Sequence, residues 1–198
     1  MQSAEPLEEP APERVEPLGE FGFTLGFGFA FGGEKLAAAS FSDGSDQSLR
    51  AGQGVLIFLG VAIVPFRSDG HSLGLHLDQN VKLEQISASN GSITLSRFPL
   101  VATLRYGYAF DDTWNFIAGA GLVYEYGIRL SGSGDVSGLD AKFDSVLGPM
   151  LEGGVAYRER AFLIDVTLRF TAMKYKLATV NDIDANNAAL VIAGHYFF

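Results

Sequence analysis

From Phe21 to the last residue, Phe198, apolar side chains alternate with small or polar ones at a period of two, in eight successive segments. That spacing puts every second side chain on one face of an extended chain, so each segment predicts a β-strand. The first sets Phe21, Phe23, Leu25, Phe27, Phe29 and Phe31 against Gly22, Thr24, Gly26, Gly28 and Ala30. The second, residues 53–66, is apolar on both faces: Val55, Ile57, Leu59, Val61 and Ile63 on one, Leu56, Phe58, Val64 and Phe66 on the other. In the third, Leu73, Leu75, Leu77, Val81 and Leu83 oppose His76, Asp78, Asn80, Lys82 and Glu84, with Gln79 a polar intruder on the apolar side. The fourth and fifth place Phe98 to Phe110 and Trp114 to Ile128 opposite Arg97, Thr103 and Arg105, and opposite Glu125 and Arg129. The sixth (146–157) carries Glu152 on its polar face, the seventh (162–170) Asp165 and Arg169, and the eighth ends on Leu190, Ile192, Gly194, Tyr196 and Phe198.

The joins between segments also alternate. Those near 67–70, 111–113 and 158–160 are short, whereas 32–52, 130–144 and 178–187 are polar, Gly- and Asp-bearing loops; 89–91 is a short exception. Short turns on one rim and long loops on the other are the habit of transmembrane barrels. Alternation alone also fits a soluble barrel, which points its apolar face inward. Two features choose the membrane. The polar face is rich in Gly, Ala and Thr with a few charges, which suits a crowded lumen. In addition, Phe21, Phe23, Tyr106, Tyr108, Phe110, Trp114, Phe116, Tyr157, Phe162, Tyr196 and Phe198 gather near the short-turn ends of the apolar face, as an interfacial girdle would. The expected fold is all-β, an eight-stranded antiparallel up-and-down barrel over residues 21–198. About 22 residues per strand and connection suffice, since ~9–11 cross the membrane. Pro65, Pro99 and Pro149 lack an N–H and are expected at rims or bulges.

Composition sharpens this picture. With 24 Gly, 16 Phe and 47% hydrophobic residues the chain is too apolar for disorder. Its longest nearly apolar run, Val55–Phe66, is interrupted by Gly60 and Pro65 and falls well short of the ~20 residues of a spanning helix. There is no Cys, and the net charge of -9 argues against nucleic acid, which rewards Lys and Arg clusters. Residues 1–20 hold six Glu and four Pro against one Arg. Such a stretch buries too little to order itself and is expected to be a disordered periplasmic tail. It lacks the basic start and apolar stretch of a secretory signal, so Met1 is expected to stand after a removed signal.

The ending Leu190, Ile192, Gly194, Tyr196, Phe198 resembles the C-terminal signal of outer-membrane barrels, read in that family by the barrel assembly machinery. From Phe21 to Phe198 the pattern is similar to the small OmpA/OmpX/OmpW-type barrels. The resemblance implies a bacterial outer-membrane location, with outer-membrane lipid and lipopolysaccharide around the wall, the assembly machinery as a partner, and no cofactor.

Candidate chemistry lies mainly in the lumen. Arg97, Arg105, Glu125, Arg129, Glu152, Asp165 and Arg169 are expected to pair as a buried ion network that plugs the barrel, since eight strands leave an interior that side chains just fill. Leu56, Phe58, Val64 and Phe66 are expected to form an apolar lumen patch, which by the OmpW resemblance implies a path for small hydrophobic molecules. Some small barrels are lipid-modifying enzymes, but His71, His76 and His195 show no Ser–His–acid spacing, so no catalytic residues are assigned. No metal is expected; Asp182, Asp184 and Asn186 begin like a calcium loop but lack its Gly and its closing Glu. The leading expectation is a non-enzymatic barrel with a plugged lumen, an envelope structural component or an anchor for protein partners through its tail or acidic outer loops; the alternatives are a conduit for small hydrophobic molecules and, third, a lipid-modifying enzyme.

Overall fold

The computed structural model describes residues 20–40, 46–177 and 180–198. The expected tail lies outside them up to residue 19. Among the described residues there is no helix. The strands are β1 (Phe21–Gly32), β2 (Lys35–Ser40), β3 (Asp46–Arg50), β4 (Gly54–Ser68), β5 (His71–Ala88), β6 (Gly91–Ala109), β7 (Trp114–Gly134), β8 (Asp140–Lys142), β9 (Val146–Glu159), β10 (Phe162–Thr171), β11 (Lys174–Leu177), β12 (Val180–Asp184) and β13 (Asn187–Phe197). Eight of them run in the order β6-β5-β4-β1-β13-β10-β9-β7, and β6 pairs with β7 to close the ring. All the pairings are antiparallel, so the ring is an up-and-down barrel without a free edge.

Apolar residues face outward: Leu59 is 66% exposed, Leu151 62%. A belt of exposed Phe, Leu, Ile and Val around every wall strand exceeds the few hundred Å² that a soluble monomer tolerates, so hydrocarbon is its solvent. The lumen takes the other face. There Thr24, His76, Asp78, Arg105, Glu152, Asp165, Arg169 and His195 are buried. Aromatic pairs ring the short-turn end: Trp114 with Tyr157 at 5.5 Å, Phe162 with Tyr196 at 5.0 Å and Phe23 with Phe198 at 5.6 Å between ring centres.

Strict alternation fails at two bulges, and each overturns a sequence-based expectation. Between Ser96 and Phe98 the β6–β7 register slips by one, because Gly127 adopts φ +60° and inserts an extra residue into β7. Beyond it the faces exchange. Ile128 turns inward and is buried, while Arg129 turns outward and leaves the lumen network. In β4 the register slips between Ile63 and Phe66, where Val64 and Pro65 oppose a single stretch of β5. Val64 faces the lumen, but Phe66 is displaced to the lipid side, 53% exposed, and is not part of an apolar lumen patch. This bulge also accommodates the missing N–H of Pro65. Pro149 lies one residue beyond the β9–β10 ladder, where its carbonyl accepts from the Ala172 N–H at 3.1 Å.

The short-turn rim is built from tight reversals, with Asp69 and Gly70 at φ 49° and 81° between β4 and β5. The opposite connections are not bare loops. They carry the β2–β3 and β11–β12 hairpins, and β8 pairs with β7.

Candidate functional site

The lumen holds two stacked plugs. At its middle, Arg105 on β6 donates from Nε to Glu152 Oε1 at 2.7 Å and from Nη1 to Asp165 Oδ2 at 2.6 Å. Arg169 on β10 donates to Glu152 Oε2 at 3.1 Å and reaches Asp78 Oδ2 on β5 at 3.7 Å. Its guanidinium also stands 5.7 Å from the ring centre of Phe58 on β4. Glycines make the room. A Cβ at Gly119 would come within 2.8 Å of Glu152 Cγ, and one at Gly60 within 2.1 Å of Asp78 Oδ1. Counting the buried side chains, Lys82, Arg97, Arg105 and Arg169 face Asp78, Glu125, Glu152 and Asp165, so the interior is electrically balanced rather than tuned to one ion sign.

Asp165 also holds His195 on β13, whose Nε2 lies 2.8 Å from Asp165 Oδ2 and whose Nδ1 lies 2.9 Å from Thr24 Oγ1 on β1. A carboxylate only accepts, so Nε2 donates to Asp165, while Nδ1 and the Thr24 hydroxyl share the second hydrogen bond. The order hydroxyl–imidazole–carboxylate has the parts of a nucleophile array, but Thr24 is 4% exposed, inside the wall. Its evident effect is to tie β1, β13 and β10 together. His76 packs edge-on against His195 at 5.6 Å.

The second plug fills the long-loop end. Leu49, Ala51, Met173, Tyr175 and Ala185 from the outer connections pack on Ile86, Ile93, Leu95, Ile128 and Leu130 from the wall. Arg97, fully buried, is the latch. It donates to the carbonyls of Ala51 and Gln53 and, at 3.1 Å, to Tyr175 Oη, which in turn donates to Glu125. Burial pushes the Tyr175 phenol well above its ordinary value, which keeps it a donor to Glu125. The connections are also laced to one another, with Glu34 N donating to Asp184 O at 2.6 Å and Ala51 N to Glu34 O at 2.8 Å.

Of the residues expected in the ion network, Arg105, Glu152, Asp165 and Arg169 meet in the central plug, Arg97 and Glu125 join through Tyr175 in the outer one, and Arg129 is outside, paired with Asp140 at 2.8–2.9 Å. Leu56 and Phe58 pack with Ala30, Ala189, Val191 and Ala193, and Val64 with Ala62 and Phe197, so the inward apolar residues form two separate clusters. Asp184 Oδ1 accepts from Asn186 N and Asn186 Oδ1 from Met173 N, as turn caps do; Asp182 joins no group of three acidic or His ligands among the described residues. Sequence reasoning marked Asp78 as an inward charge of the third strand but missed Thr24, His195 and Tyr175. Thr24 and His195 sit on inward positions that the alternation marked, but their partnership spans 171 residues, and Tyr175 belongs to a segment outside the eight alternating ones. Leu190, Gly194, Tyr196 and Phe198 of the ending face outward, and Phe198 N donates to Phe21 O at 2.9 Å.

An apolar exterior, a charged and filled interior and a closed ladder define a small eight-stranded transmembrane barrel of the bacterial outer membrane. The fold is similar to that of Neisserial surface protein A, with a TM-score of 0.60 at 18% identity over 92% of this chain and 100% of that one. It is also similar to Ail of Yersinia pestis, seen alone and in complex with the heparin analogue sucrose octasulfate, with TM-scores of 0.53 and 0.54 at 11% identity over 92% of this chain and 100% of that one. No family model and no curated protein matches the sequence.

Proposed function

We propose that this chain is a sealed, non-enzymatic barrel that serves the outer membrane as a structural component and as an anchor whose partners meet its outer connections. The observation that carries this reading is the position of Arg105, bonded at once to Glu152 and Asp165 across the middle of the lumen. Moving a hydrated ion or an apolar solute past it requires breaking charge-assisted bonds in a desolvated interior, which is strongly unfavourable. The outer plug, tied by Arg97, stands in series with it. A conduit for hydrophobic molecules would use an empty apolar lumen surface running through the barrel, whereas Leu56 and Phe58 are packed. The outer connections hold more acidic than basic residues, Asp135, Asp140 and Asp184 among them, so a basic partner or divalent cations suit them better than a polyanion of the kind seen with Ail.

Planar-bilayer recording tests the reading. Purified protein is expected to give no steady discrete conductance, and regular channel steps in the parent protein would overturn it. Recovery of the same envelope protein with the parent, lost when the β2–β3 and β11–β12 tips are exchanged for Gly-Ser, would support the anchor role.

A further inference from the structure

The short-turn mouth of the lumen belongs to neither plug. A cavity of about 360 Å³ opens there, and Arg105, His76 and His195 of the central plug form its floor. Two guanidiniums enter it from opposite walls, Arg67 near the end of β4 and Arg158 near the end of β9, strands four places apart in the ring of eight. Both are half-buried. Arg67 is held with its guanidinium 5.5 Å from the ring centre of Phe197, an inward residue, and Arg158 lies within electrostatic reach of it. Ser72 and Asn115 add polar groups, and Val64, Ile117 and Leu163 complete an apolar wall. The acids at this end, Glu20, Asp69, Asp111, Asp112 and Glu159, are exposed on the rim; Glu20 acts on Arg67 and Asp112 on Arg158.

Like charges held toward one another in a partly desolvated recess repel more than they would in water. A carboxylate placed between the guanidiniums converts the repulsion into charge-assisted, two-pronged hydrogen bonds. We propose that the periplasmic mouth is a binding site for carboxylate groups, gripped from opposite walls by Arg67 and Arg158. Both arginines have other interactions, and the ligand exchanges with these. Two sources offer that chemistry. One is an acidic periplasmic peptide. The other is the chain itself: the backbone reaches the mouth at Glu20, whose carbonyl accepts from Val64 N at 2.8 Å, and residues 1–20 carry six Glu. A tethered donor gains from high effective concentration.

The test is a titration of the full chain in detergent micelles with triglutamate, reading the Nε–H resonances of Arg67 and Arg158. A second chain carries Gln in place of Glu5, Glu8, Glu9, Glu13 and Glu16. Saturable shifts of both arginines in this second chain, weakened about tenfold or more by Arg67→Gln with Arg158→Gln and partly kept by the Lys pair, are the expected result. Weaker binding to the parent than to the Gln-substituted chain assigns the carboxylates to the chain's own segment; equal binding assigns them to an outside peptide. Absence of saturation in both chains, or shifts undiminished by the double Gln substitution, overturns the proposal. The site does not depend on the sealed-barrel reading, since channel steps would overturn that reading and leave this titration unchanged.

Discussion

The side-chain amide of Gln79 donates to the carbonyl of Pro99 at 3.3 Å, on the lipid-facing side of the wall. Pro99 has no N–H, and the β5–β6 ladder is interrupted opposite it, between the Gln79–Leu100 and Lys82–Arg97 pairs. Asn80 donates to the same carbonyl from the lumen side at 3.3 Å, and Tyr126 Oη donates to Gln79 Oε1 at 3.1 Å. The polar intruder on the third strand is therefore the patch for a proline on the fourth. Gln79→Leu is expected to destabilise by about 1 kcal/mol in the parent and by nearly nothing with Pro99→Val, which restores a ladder donor. Urea unfolding of the four proteins in micelles measures the coupling; strictly additive effects would refute this pairing.

Arg105 neutralises two buried carboxylates. Arg105→Ala is expected to cost about 3–5 kcal/mol, because it leaves Glu152 and Asp165 charged without their main partner. Arg105→Met combined with Glu152→Gln and Asp165→Asn is expected to recover most of that. The temperature at which the folded gel band converts to the unfolded one reports both. A stable Arg105→Ala protein would show the central plug to be ornamental.

Arg97 serves three acceptors from two separate outer segments, which a lysine cannot reach together. Arg97→Lys and Arg97→Ala are both expected to speed hydrogen exchange at the Ala51 and Ala185 amides about tenfold or more. Exchange in the β10–β13 ladder is expected to stay unchanged. Uniform acceleration of both regions would mean that the latch supports the whole barrel rather than its cap.

Arg129 and Asp140 form a two-pronged exposed pair, and the hydrogen bond from Arg129 holds the Asp140 carboxyl below its ordinary value of 3.8. A lowered carboxylate value stabilises the fold above that ordinary value, and the contribution disappears as pH falls through the folded one. NMR titration should find Asp140 titrating below its ordinary value in the parent and distinctly higher in Arg129→Gln. No difference between the two would show that Arg129 does not set the Asp140 titration.

Gly127 is where the wall changes face. Its φ is +60°, and a Cβ there would come within 2.8 Å of Phe98 Cδ2, so Gly127→Ala is expected to cost about 1–2 kcal/mol. Deleting residue 127 should remove the bulge and restore strict alternation with Ile128 still inward and Arg129 still outward, so the low Asp140 titration is expected to persist. An Asp140 that loses its lowered titration in the deletion would show that Gly127 is not the extra residue.

These particulars mark where sequence reading succeeds. Phe23, Leu25, Thr24 and Gly26 sit where period two places them because a wall between hydrocarbon and a packed lumen tolerates no slip of one residue. The same rule misplaces Arg129 and Phe66, since a bulge moves every later side chain by one and leaves composition untouched; Gly127 and Pro65 are its only local marks. Tyr175 is unreadable for a different reason: once a connection folds back into the barrel, its side chains follow the cavity they enter and not a repeat along the chain. The bond between Thr24 and His195 depends on ring closure, which joins residues that are neighbours only in the finished molecule.

That closure has a temporal consequence. The seam between β1 and β13 runs from Gly22–Phe197 to Gly32–Asn187, so the first strand must wait for the last one to be synthesised. Until then both margins expose unmatched backbone groups beside rows of Phe and Leu, the surface most prone to wrong association. Such a polypeptide can bury its last open margin only when its final residues arrive, so closing the ring is necessarily a late event.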